Sequence, residues 1–213
     1  MASVSKLALL SVLAFTLLPA QRLHKGKGHR IEKVDDSRGD EAHRLIKIYS
    51  VLKTNNSVWA EGLIWTLAET ILGESIKYSL DPMLVLAVIN VESRFQHRAI
   101  SQEGARGLMQ LRPVVAHALA TELALGPATE SGRLVPEYLD DPIVNVRLGV
   151  CYLGQLKKSF KETNLALAAY HWGPTDIKNR LEEGQEVPLE YAMKVLSAYQ
   201  TYRIDNGAAH KLR

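Results

Sequence analysis

Asp81-Pro82-Met83-Leu84-Val85-Leu86-Ala87-Val88-Ile89-Asn90-Val91-Glu92-Ser93-Arg94-Phe95 decides the fold. Aspartate followed by proline is a helix start. The carboxylate accepts from the free N–H groups of the first turn, and proline, which has no N–H to lose there, suits the first helical position. Met83 to Val91 is apolar nearly all round, so this helix is expected to be central and buried. It ends in a carboxylate, Glu92. Poor solvent disfavours the anion and raises the pKa, as a general acid that protonates a leaving-group oxygen near neutral pH requires. Alone, this leaves open the plainer reading of a terminal glutamate paired with Arg94 or a later basic residue.

Upstream, Leu45, Ile48 and Val51-Leu52 recur at helical spacing, as do Trp59, Leu63, Ile64, Leu67 and Ile71. Asn55-Asn56-Ser57 separates these two helices, and Ser57 is the expected cap of the second. Downstream, Asp141-Pro142 repeats the start signal before a long helix to about Phe160. A short helix over Leu165 to Tyr170 is expected to end at Gly173-Pro174. Pro188 to Tyr202 places Tyr191, Val195, Ala198 and Tyr199 on one face. Strand signals are nearly absent. The expected fold class is mainly α, with at most a short β-hairpin around Ser101 to Gly107.

The first residues read as an export signal over 1–20: Lys6, an apolar or small run Leu7 to Leu18, then Pro19-Ala20. Twelve residues fall short of the roughly 20 that span a bilayer. The expectation is a leader, cleaved or retained, and contact with a membrane only through it if retained. Residues 21–40, basic and glycine-containing without periodicity, read as a flexible tether. A helix over 41–58, a catalytic domain over 59–205 and a tail over 206–213 complete the expected organisation. Six of the 26 basic residues but only one of the 23 acidic ones lie at or before Lys33, so the remainder carries −2. A nucleic-acid-binding body is therefore not expected. The single cysteine, Cys151, has the apolar neighbours Val150, Tyr152 and Leu153 and reads as a small buried hydrophobe.

The segment after the apolar helix adds chemistry: Ala99-Ile100-Ser101-Gln102-Glu103-Gly104-Ala105-Arg106-Gly107-Leu108-Met109-Gln110-Leu111-Arg112-Pro113. Two glycines three apart imply a backbone that turns tightly or is approached closely. Beside a buried carboxylate such a loop suggests a substrate groove. With this loop in place the chain resembles the soluble lytic transglycosylase family, related in fold to goose-type lysozyme. The matching pieces are Glu92-Ser93-x-Phe95, then Ala99-x-Ser101-x-x-Gly104-Ala105-x-Gly107-Leu108-Met109-Gln110 and Pro113. They continue with Asp141-Pro142-x-x-Asn145, Gly149 and Tyr152-Leu153, and end with Ala168-Ala169-Tyr170-x-x-Gly173-Pro174. Order and spacing agree across roughly Ile71 to Tyr202.

The resemblance implies a lysozyme-like helical domain that acts on peptidoglycan glycan strands, with Glu92 as its one catalytic carboxylate. It implies cleavage between N-acetylmuramic acid and N-acetylglucosamine without water, to a 1,6-anhydro end. Ser101 and Gln110 would hydrogen-bond the sugar and Tyr170 would stack on or bond to it. Loop-forming bonds for the first two and core packing for Tyr170 stay open beside those roles. Glu103 reads as a solvated charge, Asp141 as a cap, and Leu108 and Met109 as core.

Three departures stand out. Where the family reads asparagine after Ala-Tyr, this chain has His171, followed by the large ring of Trp172. His171 is retained as a candidate substrate donor that can also titrate near neutrality. Arg112 stands where methionine is common, and a cation there would depress the Glu92 pKa or meet peptide carboxylates. The acidic position four before the last helix's tyrosine is Val187. No cofactor and no metal are expected: the seven histidines show no paired metal spacing, and neither a phosphate loop nor a nucleophile elbow occurs. Two rival functions remain, a lysozyme-type hydrolase on the same fold and an inactive glycan-holding module of an envelope-spanning or secretion assembly. The expected location is exported, in the periplasm or cell envelope.

Overall fold

The computed structural model describes residues 36–123 and 135–204. The expected leader, most of the tether and the tail lie outside them. The described residues contain eight α-helices: α1 Asp36–Asn55, α2 Glu61–Lys77, α3 Pro82–Ser93, α4 Pro113–Glu122, α5 Pro142–Phe160, α6 Thr163–Trp172, α7 Pro174–Glu182 and α8 Glu190–Ile204. A 3₁₀ turn, Pro136–Asp140, precedes α5. The fold is mainly helical, as expected. In place of a hairpin, the 99–111 loop carries two isolated bridges, Ile100 with Arg106 and Arg106 with Leu111.

Helix α3 forms where the Asp81-Pro82 signal places it. Asp81 accepts from the Met83 N–H at 2.9 Å, and every residue from Pro82 to Ile89 is buried. Helices α1, α2 and α8 surround it. Tyrosines tie α8 to both ends of α3: Tyr199 donates to Asp81 at 2.6 Å and Tyr191 to Glu92 at 2.5 Å. Past Glu92 the chain turns through two left-handed residues that are not glycine, Arg94 at φ 50° and Phe95 at φ 63°. Such a conformation costs roughly 1–3 kcal/mol per residue and persists only where its surroundings over-determine it. Here the Phe95 ring is fully buried, and its carbonyl accepts from the Asn56 amide at 2.8 Å.

Several boundaries differ from expectation. Helix α1 starts at Asp36, inside the span read as tether over 21–40. Its opening turns are polar in sequence, so apolar periodicity could not reveal them. Ser57 does not cap α2: it is exposed in the turn between helices, and Ala60 occupies the cap position without a side-chain bond. Helices α4 and α7 were not expected. Each opens on a proline, Pro113 and Pro174, where the missing N–H costs nothing. Thus Gly173, at φ 95°, redirects the chain, and Pro174 starts the next helix as well as following the last.

Helix α5 fixes the 99–111 loop through one side chain. Asn145 is fully buried; its oxygen accepts from the Met109 N–H at 2.8 Å. Its amide donates to the carbonyls of Arg106 at 2.9 Å and Leu139 at 3.0 Å. The backbone at Gly107 lies so close that a Cβ there would sit 2.1 Å from the Asn145 amide nitrogen and 2.3 Å from the Leu139 oxygen. Arg106 closes the outer side with a two-point ion pair to Asp140 at 3.0 and 2.7 Å. Replacing Asn145 with alanine takes a bond from three backbone groups, of which only the Arg106 carbonyl keeps another, from the Leu111 N–H at 3.0 Å. The expected loss is about 2–4 kcal/mol of stability in urea unfolding, and a loss under about 1 kcal/mol would contradict this role.

Candidate active site

Glu92 sits in the last turn of α3, partly buried, where the apolar helix gives way to the surface. Burial pushes its pKa up from 4.5 to about 7, while the hydrogen bond from Tyr191 pulls it back down. Burial wins because the anion loses its water, whereas one phenol returns a single bond. The carboxyl group can therefore be protonated near neutral pH and still ionise within reach of it. Neither Arg94, exposed at the left-handed helix end, nor Arg112 acts on it. The expectation that a cation at 112 depresses Glu92 is corrected: Arg112 starts α4, exposed, and its charge reaches Tyr152 instead.

Two phenols face the carboxylate. Tyr191 is buried on α8 and Tyr170 on α6, and both have ionisation pushed well above the ordinary range, by burial first and the Glu92 charge second. Both stay neutral donors throughout the physiological range. The Tyr170 hydroxyl donates to the Met109 carbonyl at 2.7 Å, and its ring lies against Tyr152, centroids 5.3 Å apart. It thus ties α6 to the loop as well as bordering Glu92.

The loop residues are engaged with the loop itself. Ser101 accepts from the N–H groups of Glu103 and Ala105, both at 3.2 Å, and donates to the Glu103 carboxylate at 3.0 Å. Gln110, left-handed at φ 46°, donates both amide hydrogens inward, to the carbonyls of Ala99 and Gly107 at 3.0 Å each. Its carbonyl oxygen is the group this amide can offer a ligand. Met109 is fully buried beneath the loop against Gly149, where a Cβ would meet its sulfur at 2.4 Å.

His171 follows at the end of α6, exposed on one face and stacked on the other. Its ring lies parallel to Tyr191, 4.5 Å between centroids and 8° between planes, and meets Trp172 edge-on at 4.9 Å. Burial, then the charge of Lys194, lowers its pKa from 6.5. Sequence reading did not include Tyr191 in the site. The signal was there: a tyrosine on the inward face of the last helix, at the position the family's late motif marks.

The family model described as the transglycosylase SLT domain matches residues 69–191, more than half of the chain. The chain belongs to the transglycosylase SLT domain family. Among curated proteins this SLT domain is similar to the transglycosylase of Enterobacteria phage PRD1, 36% identical over 105 residues, 49% of this chain and 34% of that one. It is also similar to membrane-bound lytic murein transglycosylase C of Photorhabdus laumondii, 38% identical over 86 residues, 40% of this chain and 23% of that one. The chain thus spans about a third of the one relative and about a quarter of the other. Among solved structures, an inactive mutant of lytic transglycosylase Slt from Pseudomonas aeruginosa aligns with TM-score 0.54 and 28% identity, over 66% of this chain and 24% of that one. The 70 kDa soluble lytic transglycosylase of Escherichia coli shares the fold at TM-score 0.57 and 19% identity, covering 82% and 32%.

Two measurements test the electrostatics of the SLT domain. Tyr191→Phe removes the donor that stabilises the anion, so the Glu92 pKa must rise above about 7 in a carbon-13 titration of labelled glutamates; a fall would contradict the assignment. The folded state also holds a proton on Glu92 that the unfolded chain has released between pH 4.5 and about 7. A raised acid pKa makes stability fall as pH rises through that window. Glu92→Gln is free of this penalty, so its stability advantage over wild type should grow across the window, by about 3 kcal/mol at most, and stay level below pH 4.5.

Proposed function

We propose that the SLT domain cleaves peptidoglycan as a lytic transglycosylase, breaking the β-1,4 bond between N-acetylmuramic acid and N-acetylglucosamine without adding water. The observation that carries this is one carboxyl group, Glu92, with a pKa near 7, a phenol donor at 2.5 Å and no second carboxylate acting on it. Glu103 is exposed and bonded to Ser101, and Asp141 caps α5.

A single acid suffices if it acts twice. Protonated Glu92 gives its proton to the glycosidic oxygen as the bond to C1 breaks, and the carbonyl oxygen of the substrate's own acetamido group closes on C1. The resulting carboxylate then takes the proton of the sugar's 6-hydroxyl, and O6 displaces the acetamido oxygen from C1. The product carries a 1,6-anhydro ring and Glu92 is protonated again. Acid and then base on one residue is the sequence used in retaining glycosidases, with the acetamido group in place of the second carboxylate.

Tyr191 supports both states, donating to the carboxylate when it forms and turning no proton loose itself. Ser101, Gln110 and Tyr170 shape the wall on the loop side, with the Gln110 carbonyl oxygen as the acceptor for a sugar hydroxyl or amide. Peptidoglycan as substrate places the domain's work in the cell envelope. No helix among the described residues is long and apolar enough to cross a membrane.

Digestion of purified sacculi, with products weighed by mass spectrometry, tests the proposal. Wild type should release anhydromuropeptides, one water lighter than hydrolytic products, and Glu92→Gln should lower the rate about a thousandfold or more, toward the upper part of the roughly 10²–10⁴-fold range typical of general acid–base catalysis because both steps fail. Reducing ends without anhydro products would make the enzyme a hydrolase. The rate should fall as pH rises above about 7, where the acid form is lost, and Tyr191→Phe should move that limb upward.

A further inference from the structure

Arg112 is a cation without a task in the fold. It stands at the cap position of α4 but makes no side-chain bond there. It is exposed, and among the described residues its guanidinium has no ion-pair partner. The other arginine of the same loop is neutralised: Arg106 pairs with Asp140 at 2.7 Å and lies 3.6 Å from the Glu137 carboxylate. Glu103, the acid within the loop, is taken by Ser101. Six residues apart, one positive charge is cancelled and the other is left open.

The open charge borders the site without acting on its acid. Arg112 follows Met109 by three residues, so its backbone lies within about 11 Å of the residue whose carbonyl bonds Tyr170. Its charge lowers the Tyr152 pKa against the upward push of burial. The Tyr152 ring lies 5.3 Å from that of Tyr170, which in turn senses Glu92. Glu92 itself does not sense Arg112. Two tyrosines thus link the acid to the cation along the loop side. A guanidinium there gains little from neutral sugar hydroxyls, whereas it forms two parallel hydrogen bonds with a carboxylate. In peptidoglycan the free carboxylates lie on the peptide stems, which leave the strand at the lactyl groups of the muramoyl residues. Each stem residue extends at most about 3.6 Å, so an acidic residue placed second in a stem reaches roughly 7 Å out from the strand.

We propose that Arg112 is a specificity-determining residue that pairs with a carboxylate of the peptide stem on the strand being cut, so that the domain favours stem-bearing over stripped glycan. This rests on the peptidoglycan reading above. The pair forms before the glycosidic bond breaks and persists through the transition state, so it acts on KM rather than kcat.

Steady-state kinetics on three kinds of glycan strand provide the test: strands with full stems, strands whose stem carboxylates are amidated, and strands stripped of stems so that the lactyl carboxylates are free. For Arg112→Met the ratio of kcat/KM on full stems to that on stripped strands should fall about fivefold, near the upper end for an exposed ion pair, and through KM. Amidation should lower wild type by the same factor and leave Arg112→Met nothing further to remove. Arg112→Lys should keep part of the preference, and raised salt should shrink it in wild type. Arg44→Met, which removes an exposed positive charge from α1, should leave the ratio unchanged. An equal loss on full and stripped strands overturns the proposal, as does a larger loss on stripped strands, where the lactyl carboxylate would be the partner. A loss that survives amidation, or that Arg44→Met reproduces, overturns it too. Failure of wild type to cleave any strand overturns the functional reading instead. Calorimetry of a stem-bearing disaccharide with Glu92→Gln, with and without Arg112→Met, then tests the pair independently of cleavage.

Discussion

A helix with no polar face has to be enclosed, and the site follows from how α3 satisfies that demand. Pro82 to Ile89 are buried on every side, so water first meets this helix in its last turn, at Asn90, Val91 and Glu92. A carboxylate placed there is neither sealed in the core nor free in solvent. Deeper burial would hold it permanently protonated; full exposure would return it to an ordinary carboxylate. Helix α8 is drawn to the same apolar surface, and the enclosure of α3 is therefore what delivers Tyr191 to Glu92. The sharp exit through Arg94 and Phe95 keeps the following chain from covering the carboxylate.

The loop facing that carboxylate forms neither helix nor strand, and the turn and bridge bonds within it leave some of its backbone groups to side-chain partners. Asn145 reaches two of them from α5, with a third bond to Leu139 in the 3₁₀ turn, and Gln110 supplies two more from within the loop. This explains why asparagine stands at the fourth position after Asp141: the cap fixes where α5 begins, and one turn later its side chain lies under the loop. It also changes how Ser101, Gln110 and Tyr170 are to be understood. Their donors are engaged by Glu103, by loop carbonyls and by Met109. Ser101 also accepts from two N–H groups of the loop, so on the proposed function a sugar would meet the Gln110 carbonyl oxygen on a surface held rigid before it arrives, which lowers the ordering cost of binding.

What could be read from sequence were features whose physics is local. Asp-Pro starts, an all-apolar helix and glycines at close approaches each leave a mark within a few residues, and α3, α5 and the glycine loop carry those marks. Helices α4 and α7 open on prolines, and a proline suits a break in the chain as well as a first helical position. The opening of α1 has no apolar stripe to detect. The Tyr191–Glu92 bond joins residues 99 apart in the chain, and no spacing rule reports a partner at that distance. Glu92 could be proposed from the helix it ends, whereas what tunes it could not.

The replacement of the family's asparagine by His171 is tolerable for a reason that the order of titrations supplies. An imidazolium stacked on Tyr191 would withdraw electron density from the phenol, strengthen its donation and favour the Glu92 anion, the wrong state for the first proton transfer of the proposed mechanism. Burial and Lys194 lower the His171 pKa below 6.5, while burial raises that of Glu92 to about 7. Between the two, the ring is neutral while Glu92 still carries its proton, so the stack orients Tyr191 without charging it. Burial acts on both groups in the sense that opens this window: it penalises the cation on one and the anion on the other. Asparagine has no such requirement, and histidine meets it with a wider margin because its ring is pressed against Tyr191 and partly withdrawn from water.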